Sequence, residues 1–412
     1  MTRIVLIVLI ITVTFGTVFI FDQPSFEKDL QVDDRPNVVI ISMASVPSYK
    51  ISCYGYDREI SPSICEVADN GTIYERAYSS TTWAVPSKAG MMTGEYPASL
   101  RDSENDLMSE DQELLPEKLG ELGYSTFQKG VNEEAFEVDY ENSFDSSFSV
   151  SEVSDLLEQD SPAYIHYSVW DTHKHNMKED ISNRDLYYAN SINNSQIELY
   201  AGSLGEDLED RRENHNQINK TYLNSIYDDN LLYTDKNHIE PIISQLKEAE
   251  AYEDSLIIIT STHGQLLGQE NLYGHELAYG HPDELAQVPL IVKYPEEKDA
   301  KREDNVVSTI DITPAVLRAV GYGKSDEDFD GVPLQDTEDS RSVFIERVYE
   351  ETTSVVNESY KLTHCNLVKP PLCSEEWNLY SYPSEKSVEN SSVERSMKEK
   401  LTEFIEKGKT RK

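Results

Sequence analysis

The segment TTWAVPSKAGMMTG, residues 81–94, has residues that are typical of a turn followed by a helix whose start binds an anion. Proline is favoured at the first helical position, so Pro86 predicts that the helix begins there. Backbone N–H groups at a helix start attract anions, and Lys88 adds a positive charge. A nucleophile for a phosphate or sulfate ester would stand just before such a turn, yet residue 84 is alanine. Ser87 is the best-placed hydroxyl, although a serine in the first turn more typically caps the helix.

Histidines and one aspartate follow two apolar runs of the chain. The run AYIHYSV is followed by Asp171 and His173, and the run SLIIITS is followed by Thr262 and His263, with His275 farther on. A third run, NVVIIS, is followed by MASVPSYK, which holds no carboxylate. Calcium and magnesium bind through oxygen atoms, mainly of carboxylates, whereas these segments offer mainly imidazoles.

A hydrolase of anionic esters needs a nucleophile, a base and donors for the developing charge. With no reactive atom at position 84, His263 is the candidate base and Asp171 the candidate ion ligand or orienting group. The candidate nucleophiles are the hydroxyls of Ser45, Thr82, Ser87 and Thr262. Trp83 and Trp170 are able to stack on a sugar, although buried packing is the commoner role of such residues.

Four runs of β-branched and apolar residues have the length of buried strands: 37–42, 163–169, 255–261 and 288–294. Helical patterns lie between them, for example in residues 114–123 and 233–252. Strands that alternate with helices predict an α/β fold with a mostly parallel central sheet between helices. Ligands of such sheets bind beyond the carboxyl ends of the strands, so the residues that follow these runs are expected to share one crevice.

The pattern changes at about residue 343 to short strand-like pieces, SVFIER, SYKLTHC and EWNLYSY, and then to a charged helix, VERSMKEKLTEFIEKG. These pieces predict a small C-terminal antiparallel sheet. Residues 95–162 and 174–220 are rich in acids, Asn and Ser, which favours long surface loops. We divide the chain into a hydrophobic N-terminal segment, a linker, an α/β domain and a C-terminal subdomain with a charged tail: 1–22, 23–34, 35–342 and 343–412.

Residues 4–21, IVLIVLIITVTFGTVFIF, are 18 consecutive residues without a charge, and as a helix they would span roughly 27 Å, close to the hydrocarbon core of a bilayer. Arg3 precedes them and acids follow, which indicates that the N-terminus is inside and the main domain extracytoplasmic. No A-x-A-like cleavage site follows, so we expect a retained transmembrane anchor in the cell membrane. A removed signal peptide is the alternative, and it also exports the main domain.

Export would permit disulfides among the four cysteines, Cys53, Cys65, Cys365 and Cys373. Four cysteines allow three pairings, and sequence does not choose among them. The last two flank the short segment NLVKPPL, which favours a local clasp between them, with buried free thiols as the alternative.

The charge of the chain is strongly negative. It has 76 acidic and 36 basic residues, a formal net charge of −40, with acids spread along the whole folded part. Regular apolar runs argue against disorder as the explanation. We therefore expect an anionic surface adapted to concentrated salt, where screening is strong, and no binding to nucleic acid.

Several ordered blocks between about residues 35 and 385 resemble the sulfatase family of the alkaline phosphatase superfamily. The stretch from RPNVVIIS to MMTGEYP resembles the family's N-terminal block. The stretch YEDSLIIITSTHGQLLGQENLYGHELAYGHPDELAQVPLIVKYP resembles its second block, and STIDITPAVLRAVGY, DGVPL and NLYSYPSE match later landmarks in order. The resemblance implies a sulfatase-like fold. For active members it also implies a metal, usually calcium, and a nucleophile made from Cys or Ser.

The resemblance implies that three key positions lack the functional groups that the family uses for catalysis and metal binding. Ala84 stands at the nucleophile position, two residues before the proline of the Cys/Ser-x-Pro-x-Arg turn. Two metal carboxylates fall on Ala44 and Thr262, and a family arginine falls on Pro47. None of these substitutes supplies the carboxylate, thiol or guanidinium that the family uses.

The same resemblance assigns the polar groups that remain. His263 stands beside the lost Asp and is the candidate metal ligand. His275 matches the substrate-side His of the family's Tyr-Gly-His, and His173 matches that of Asp-Pro-His. Lys88 stands where the family has Arg or His. With Ser87, these side chains are the candidate site residues.

Three functions follow as alternatives. The first is an exported, membrane-anchored protein of sulfatase fold that has lost the hydrolysis of sulfuric esters. It binds an anionic glycan, a sulfated or phosphorylated ligand or a partner, and we expect it to need no cofactor. The second is an active hydrolase or transferase with a rebuilt site, which would use calcium or magnesium. The third is a structural component of the cell surface. The oligomeric state, the ligand and any glycosylation are not determined by the sequence.

Overall fold

The computed structural model describes residues 35–100, 108, 112–130, 143–173, 186–189, 193, 195–196, 219–275, 280–322, 329–338, 340–347, 352–365, 374–382 and 386–410. The predicted anchor and linker, residues 1–34, lie outside this part of the chain. Among the helices that are described, none has both the length and the apolar character needed to cross a membrane.

A mixed sheet of eight described strands forms the centre of the fold. Across the sheet the strands lie in the order β10 (Lys301–Ser308), β2 (Thr72–Tyr78), β9 (Leu290–Lys293), β6 (Leu256–Ser261), β1 (Val38–Met43), β5 (Ala163–Val169), β3 (Ser125–Lys129) and β4 (Ser146–Ser147). Strand β1 pairs in parallel with both β5 and β6, and the pairs β3–β5, β3–β4 and β2–β10 are parallel as well. The predicted α/β fold with a mostly parallel sheet is confirmed.

The fourth predicted strand does not follow the parallel pattern. Strand β9 pairs antiparallel with both of its neighbours, β6 and β2. The described residues between β6 and β9 include no long helix that would return the chain to the other end of the sheet. They contact the residues just beyond the carboxyl ends of the parallel strands. Strand β9 therefore begins at that end of the sheet and runs in the opposite direction to β6. The residues after β9 are therefore at the opposite edge and do not join the expected crevice.

Helices cover both faces of the sheet because alternate residues of each strand point to opposite sides. Val39 and Ile41 of β1 pack with α6 (Lys220–Thr234) and α7 (Glu240–Glu248) on one face. On the other face, its residues Val38 and Ile40 belong to a second core that includes apolar side chains of three helices. These are α2 (Ala84–Thr93), α4 (Leu115–Glu121) and α9 (Ile312–Ala319).

The helix predicted over 233–252 begins earlier and is interrupted. A five-residue π-helical turn, Asp235–Ile239, separates α6 from α7, and Pro241 follows it in the first turn of α7. A wider turn accommodates a proline that cannot donate its backbone N–H. The carboxylate of the buried Asp235 accepts hydrogen bonds from the backbone N–H groups of Ser63 and Ile64 (both 3.0 Å). These two residues lie in the first turn of α1 (Pro62–Ala68).

The C-terminal strands form a separate antiparallel sheet, as predicted. It runs through β11 (Val343–Arg347), β12 (Thr352–Val356), β13 (Tyr360–His364), β14 (Trp377–Ser381) and β15 (Lys386–Ser387). Strand β12, TTSVV, is fully buried and was not among the predicted pieces. The charged C-terminal helix, α10 (Ser391–Thr410), packs Met397 and Leu401 against Val355 and Leu362 of this sheet.

One disulfide, Cys53–Cys65, closes the segment between β1 and α1. The sequence left the pairing of these two cysteines open. Cys365 is also disulfide-bonded. Its expected partner in the local clasp, Cys373, lies outside the described residues.

Candidate functional site

The carboxyl ends of β1, β5 and β6 lie level with one another. Met43 is in register with both Val169 and Ser261. Just beyond, the N–H of Ala44 donates to the carbonyl of Val169 (2.9 Å), and that of Thr262 donates to the carbonyl of Met43 (2.8 Å). Positions 44 and 262 are therefore side by side at the mouth of the sheet, and neither offers a carboxylate.

Helix α2 begins at Ala84, two residues before the start predicted from Pro86. Trp83 is extended and precedes the helix, and its carbonyl accepts the N–H of Ser87 (3.1 Å). Pro86 is the third helical residue, a position whose N–H has no partner within a helix in any case. Ala84 is buried, and its methyl group offers no reactive atom.

The hydroxyl of Ser87 packs α2 against the end of β6 and does not cap the helix. It lies 2.9 Å from the hydroxyl of Ser79. Ser79 in turn lies 2.6 Å from each of two carbonyl oxygens, those of Thr81 and Thr262. Since Ser79 has one hydrogen and gives it to a carbonyl, Ser87 donates to Ser79. Among the described residues, no base accepts the proton of Ser87.

Within the described residues, the other candidate nucleophiles likewise have no hydrogen-bonded base. Thr82 accepts a hydrogen bond from Nη1 of Arg347 (3.2 Å). The hydroxyls of Ser45 and Thr262 are buried and have no hydrogen-bond partner within the described part of the chain. A hydroxyl becomes a nucleophile at neutral pH when an adjacent base or metal removes its proton. Among the described residues, none of the four hydroxyls has an imidazole or carboxylate partner.

Lys88 lies inside the protein, only 1% exposed. Its Nζ donates to Ser168 (2.8 Å) and lies 5.3 Å from the centre of the Trp170 ring. Burial lowers the pKa of Lys88 to about 7. Burial and, secondarily, the charge of Lys88 lower the pKa of His166, in the same strand as Ser168, to about 3. Lys88 is therefore a weaker positive centre than an exposed lysine at neutral pH.

Three histidines converge at the mouth of the sheet. His173 follows β5, His263 follows β6, and His275 follows the short hairpin of β7 (Leu266–Leu267) and β8 (Tyr273–Gly274). Their ring centres are 4.2 Å apart for His263 and His275, 5.0 Å for His173 and His275, and 6.3 Å for His173 and His263. One nitrogen of each ring lies within 4.8 Å of the other two. His263 and His275 are buried, and His173 is half-buried.

Carbonyl oxygens orient two of these rings. Nδ1 of His263 lies 2.7 Å from the carbonyl of Gly264, and Nδ1 of His275 lies 3.1 Å from Oε1 of Gln265. Oxygens of this kind only accept, so each Nδ1 carries the hydrogen and each Nε2 keeps its lone pair. The backbone of Gly264 makes this possible, because a Cβ there would lie 2.1 Å from the carbonyl oxygen of Glu284.

The structure separates Asp171 from the histidine cluster. Its carboxylate pairs with Nε2 of His238 (3.0 Å) on the π-helical turn, so it is not placed as the ion ligand that the sequence suggested. Two contributors were missed by sequence reasoning. Gln265 holds His275, and Arg347 reaches Thr82 from the C-terminal sheet. No local motif signals either contact, since each joins segments from different elements.

The calcium that the resemblance implies does not fit the side chains at this site. Calcium prefers six to eight oxygen ligands, including carboxylates. Among the described residues, the only cluster of three or more metal-ligating side chains is His173, His263 and His275, which offers nitrogen. The methyl group of Ala44 and the hydroxyl of Thr262 occupy the positions from which the implied carboxylates would bind.

Comparison with known proteins supports the fold. A family model described as Sulfatase matches residues 36–322. An ulvan-active sulfatase of Formosa agariphila is 22% identical over 327 residues, 71% of this chain and 53% of that protein. The solved structure of a 2-O GAG sulfatase superimposes with a TM-score of 0.68 at 16% identity, covering 91% of this chain and 93% of that one.

A third relative is a protein solved in complex with its substrate, D-glucosamine-2-N,6-O-disulfate. It has a TM-score of 0.64 at 14% identity and covers 92% of this chain and 98% of that one. At these identities, the structural likeness shows the fold. The chain spans about half, or less, of the length of the curated relatives that it matches in sequence.

Proposed function

Because this chain belongs to the sulfatase family, we propose that it recognises a sulfated saccharide but does not hydrolyse the sulfate ester by the family's route. The observation that carries the proposal is Ala84, buried at the first position of α2, where the family places its nucleophile. A covalent route requires an oxygen or sulfur atom at that point, and a methyl group cannot form the intermediate.

The contacts of the neighbouring hydroxyls support the loss of hydrolysis over a rebuilt enzyme. Ser87, the best candidate from sequence, donates to another serine, and Thr82 accepts from Arg347. A base within hydrogen-bond reach is the first geometric requirement for either residue to act. Within the described residues neither has one.

The composition of the crevice supports recognition of a sulfated sugar. The buried hydroxyls of Thr262 and Ser45 have no hydrogen-bond partner among the described residues. A sulfate oxygen is a suitable acceptor for such a hydroxyl. Trp83 and Trp170 are half-buried on the segments that start α2 and follow β5, and indole rings commonly stack on sugars. A structural relative binds a sugar that carries two sulfate groups.

The test uses the full-length chain with D-glucosamine-2-N,6-O-disulfate and, as the matched control, unsulfated glucosamine. We expect saturable binding of the sulfated sugar in calorimetry, weak or no binding of the control, and no release of sulfate above a heat-denatured sample. Release of sulfate that disappears in Ser87→Ala would overturn the proposal and establish a rebuilt enzyme. Equal binding of both sugars would refute recognition of the sulfate.

We further propose that the protein is exported and anchored in the cell membrane through residues 1–22, with a surface adapted to high salt. The Cys53–Cys65 disulfide supports export, because disulfides persist in oxidising compartments. The test is protease treatment of intact cells that produce the full chain. We expect digestion of the main domain and recovery of the N-terminal segment in the membrane fraction; protection of the main domain would refute export.

A further inference from the structure

We propose that His173, His263 and His275 bind one divalent transition-metal ion of the zinc type. The three side chains come from three different segments, yet one nitrogen of each ring lies within 4.8 Å of the other two. In a tetrahedral zinc site, with zinc–nitrogen bonds of about 2.0–2.1 Å, the ligand nitrogens stand roughly 3.4 Å apart. Side-chain rotations that shorten the distances between these nitrogens by about an ångström would give that spacing.

The hydrogen bonds to the rings match those of metal-binding histidines. Such residues donate their second ring N–H to a carbonyl or carboxylate, which fixes the tautomer and the orientation of the ring. His263 donates from Nδ1 to Gly264, and His275 donates from Nδ1 to Gln265. In both rings the lone pair therefore belongs to Nε2.

The donor set selects the class of metal. Imidazole nitrogens suit zinc, copper, iron and nickel, whereas calcium and magnesium prefer oxygen. Three protein ligands leave a coordination position for a water molecule or a ligand oxygen. Because His173 is half-buried, solvent reaches this side of the cluster. The site therefore differs from the calcium site of the family in ligand type as well as in residue identity.

The ion would supply the positive centre that sulfate recognition needs. Calcium does not fit the crevice, and Lys88 is buried and hydrogen-bonded to Ser168. A divalent ion with an open position attracts a sulfate oxygen directly. This role of the ion rests on the proposed function, whereas the binding of the metal does not.

The experiment titrates zinc chloride and calcium chloride separately into the full-length chain after treatment with a chelator, in concentrated sodium chloride. We expect one zinc ion per chain and binding at least about 100-fold tighter than that of calcium. Cobalt(II) in place of zinc should give the visible absorption of a four-coordinate site. Failure of wild-type protein to bind zinc, or tighter binding of calcium, would overturn the inference.

Variants locate the ion. His173→Ala, at a half-buried position where folding is preserved most easily, should weaken zinc binding by about 100-fold or more, and Gln265→Leu by about 10- to 100-fold. The matched control is His238→Ala, which removes a histidine paired with Asp171 outside the cluster and should leave the affinity unchanged. Zinc affinity within about threefold of wild type in both His173→Ala and Gln265→Leu would place the ion elsewhere and refute the site.

Binding of the disulfated glucosamine, measured with and without zinc, separates the two proposals. Zinc binding without sugar binding would leave the metal site standing and refute the proposed function. Sugar binding to a chain that takes up no zinc would support the proposed function and refute the metal site. Sugar binding that increases when zinc is added would support both.

Discussion

Two buried polar clusters of this protein differ in how their members relate to one another. In the Asp228 cluster, the carboxylate of Asp228 accepts from Lys50 (2.9 Å), Tyr56 (2.7 Å) and Arg58 (2.6 Å). In the histidine cluster, His173, His263 and His275, three like groups face one another. A cluster of complementary charges satisfies itself and stabilises the fold. A cluster of like ligands does not neutralise itself in this way, and we propose that a metal ion completes it.

Removal of the central carboxylate should give the largest effect on stability. Asp228→Ala leaves Lys50, which is 2% exposed, without its ionic partner, and loss of one member of a buried pair costs about 3–5 kcal/mol. We expect that decrease in the free energy of unfolding, measured in urea, with zinc affinity unchanged. Asp228→Asn, which keeps the shape, is the control. A decrease below about 1 kcal/mol in Asp228→Ala would contradict the structural role of the cluster.

Lys88 is a buried cation that donates a hydrogen bond to the neutral hydroxyl of Ser168. Burial lowers its pKa from 10.5 to about 7, which corresponds to roughly 5 kcal/mol. Between these pH values the unfolded chain holds a proton that the folded chain lacks, so Lys88 makes stability rise with pH. This stability is present above pH 10.5 and is lost as the pH falls through about 7.

Lys88→Met should remove this dependence. We expect the variant to exceed wild type in the free energy of unfolding at and below pH 7, and the difference to shrink as the pH approaches 10.5. Chemical denaturation at several pH values from 7 upward measures it. In this range the difference between the two proteins cancels the other titrating groups, including His166, whose pKa of about 3 lies below it. A difference that does not change with pH would show that Lys88 has an ordinary pKa in the folded state.

Gly264→Ala tests how the backbone supports the histidine cluster. Its Cβ would lie 2.1 Å from the carbonyl oxygen of Glu284, so the two segments must separate. We expect a loss of about 1–3 kcal/mol in stability, as for overpacked interiors, together with weaker zinc binding. Gly120→Ala, where a Cβ meets nothing within 4 Å, is the control. Unchanged zinc affinity in Gly264→Ala would show that the ring of His263 does not depend on this contact.

Asp171→Asn should have the smallest effect. The side chain is paired with His238 at partly exposed positions, and such ion pairs contribute about 0–1 kcal/mol. We expect little change in thermal stability and no change in zinc affinity. A marked loss of zinc binding would return Asp171 to the metal site that the sequence suggested and would break the distinction between the two clusters.

Much of the fold was predictable because its determinants are local. Four apolar runs predicted four strands, and short β-branched pieces predicted the C-terminal sheet. The direction of β9 was not predictable from its own residues, since it depends on the path of the chain from β6. The start of α2 was misplaced because proline is compatible with any of the first helical positions.

The sequence by itself determined that Ala44 and Thr262 supply no carboxylate and that Ala84 supplies no thiol or hydroxyl, because the absence of such a group from a side chain is a property of that residue alone. The tertiary structure decided which remaining groups meet. His173 and His275 are about a hundred residues apart in the chain, and their rings are brought within 5.0 Å by the register of the strands and the hairpin after β6. Distances of this kind depend on packing between segments, which no local pattern encodes.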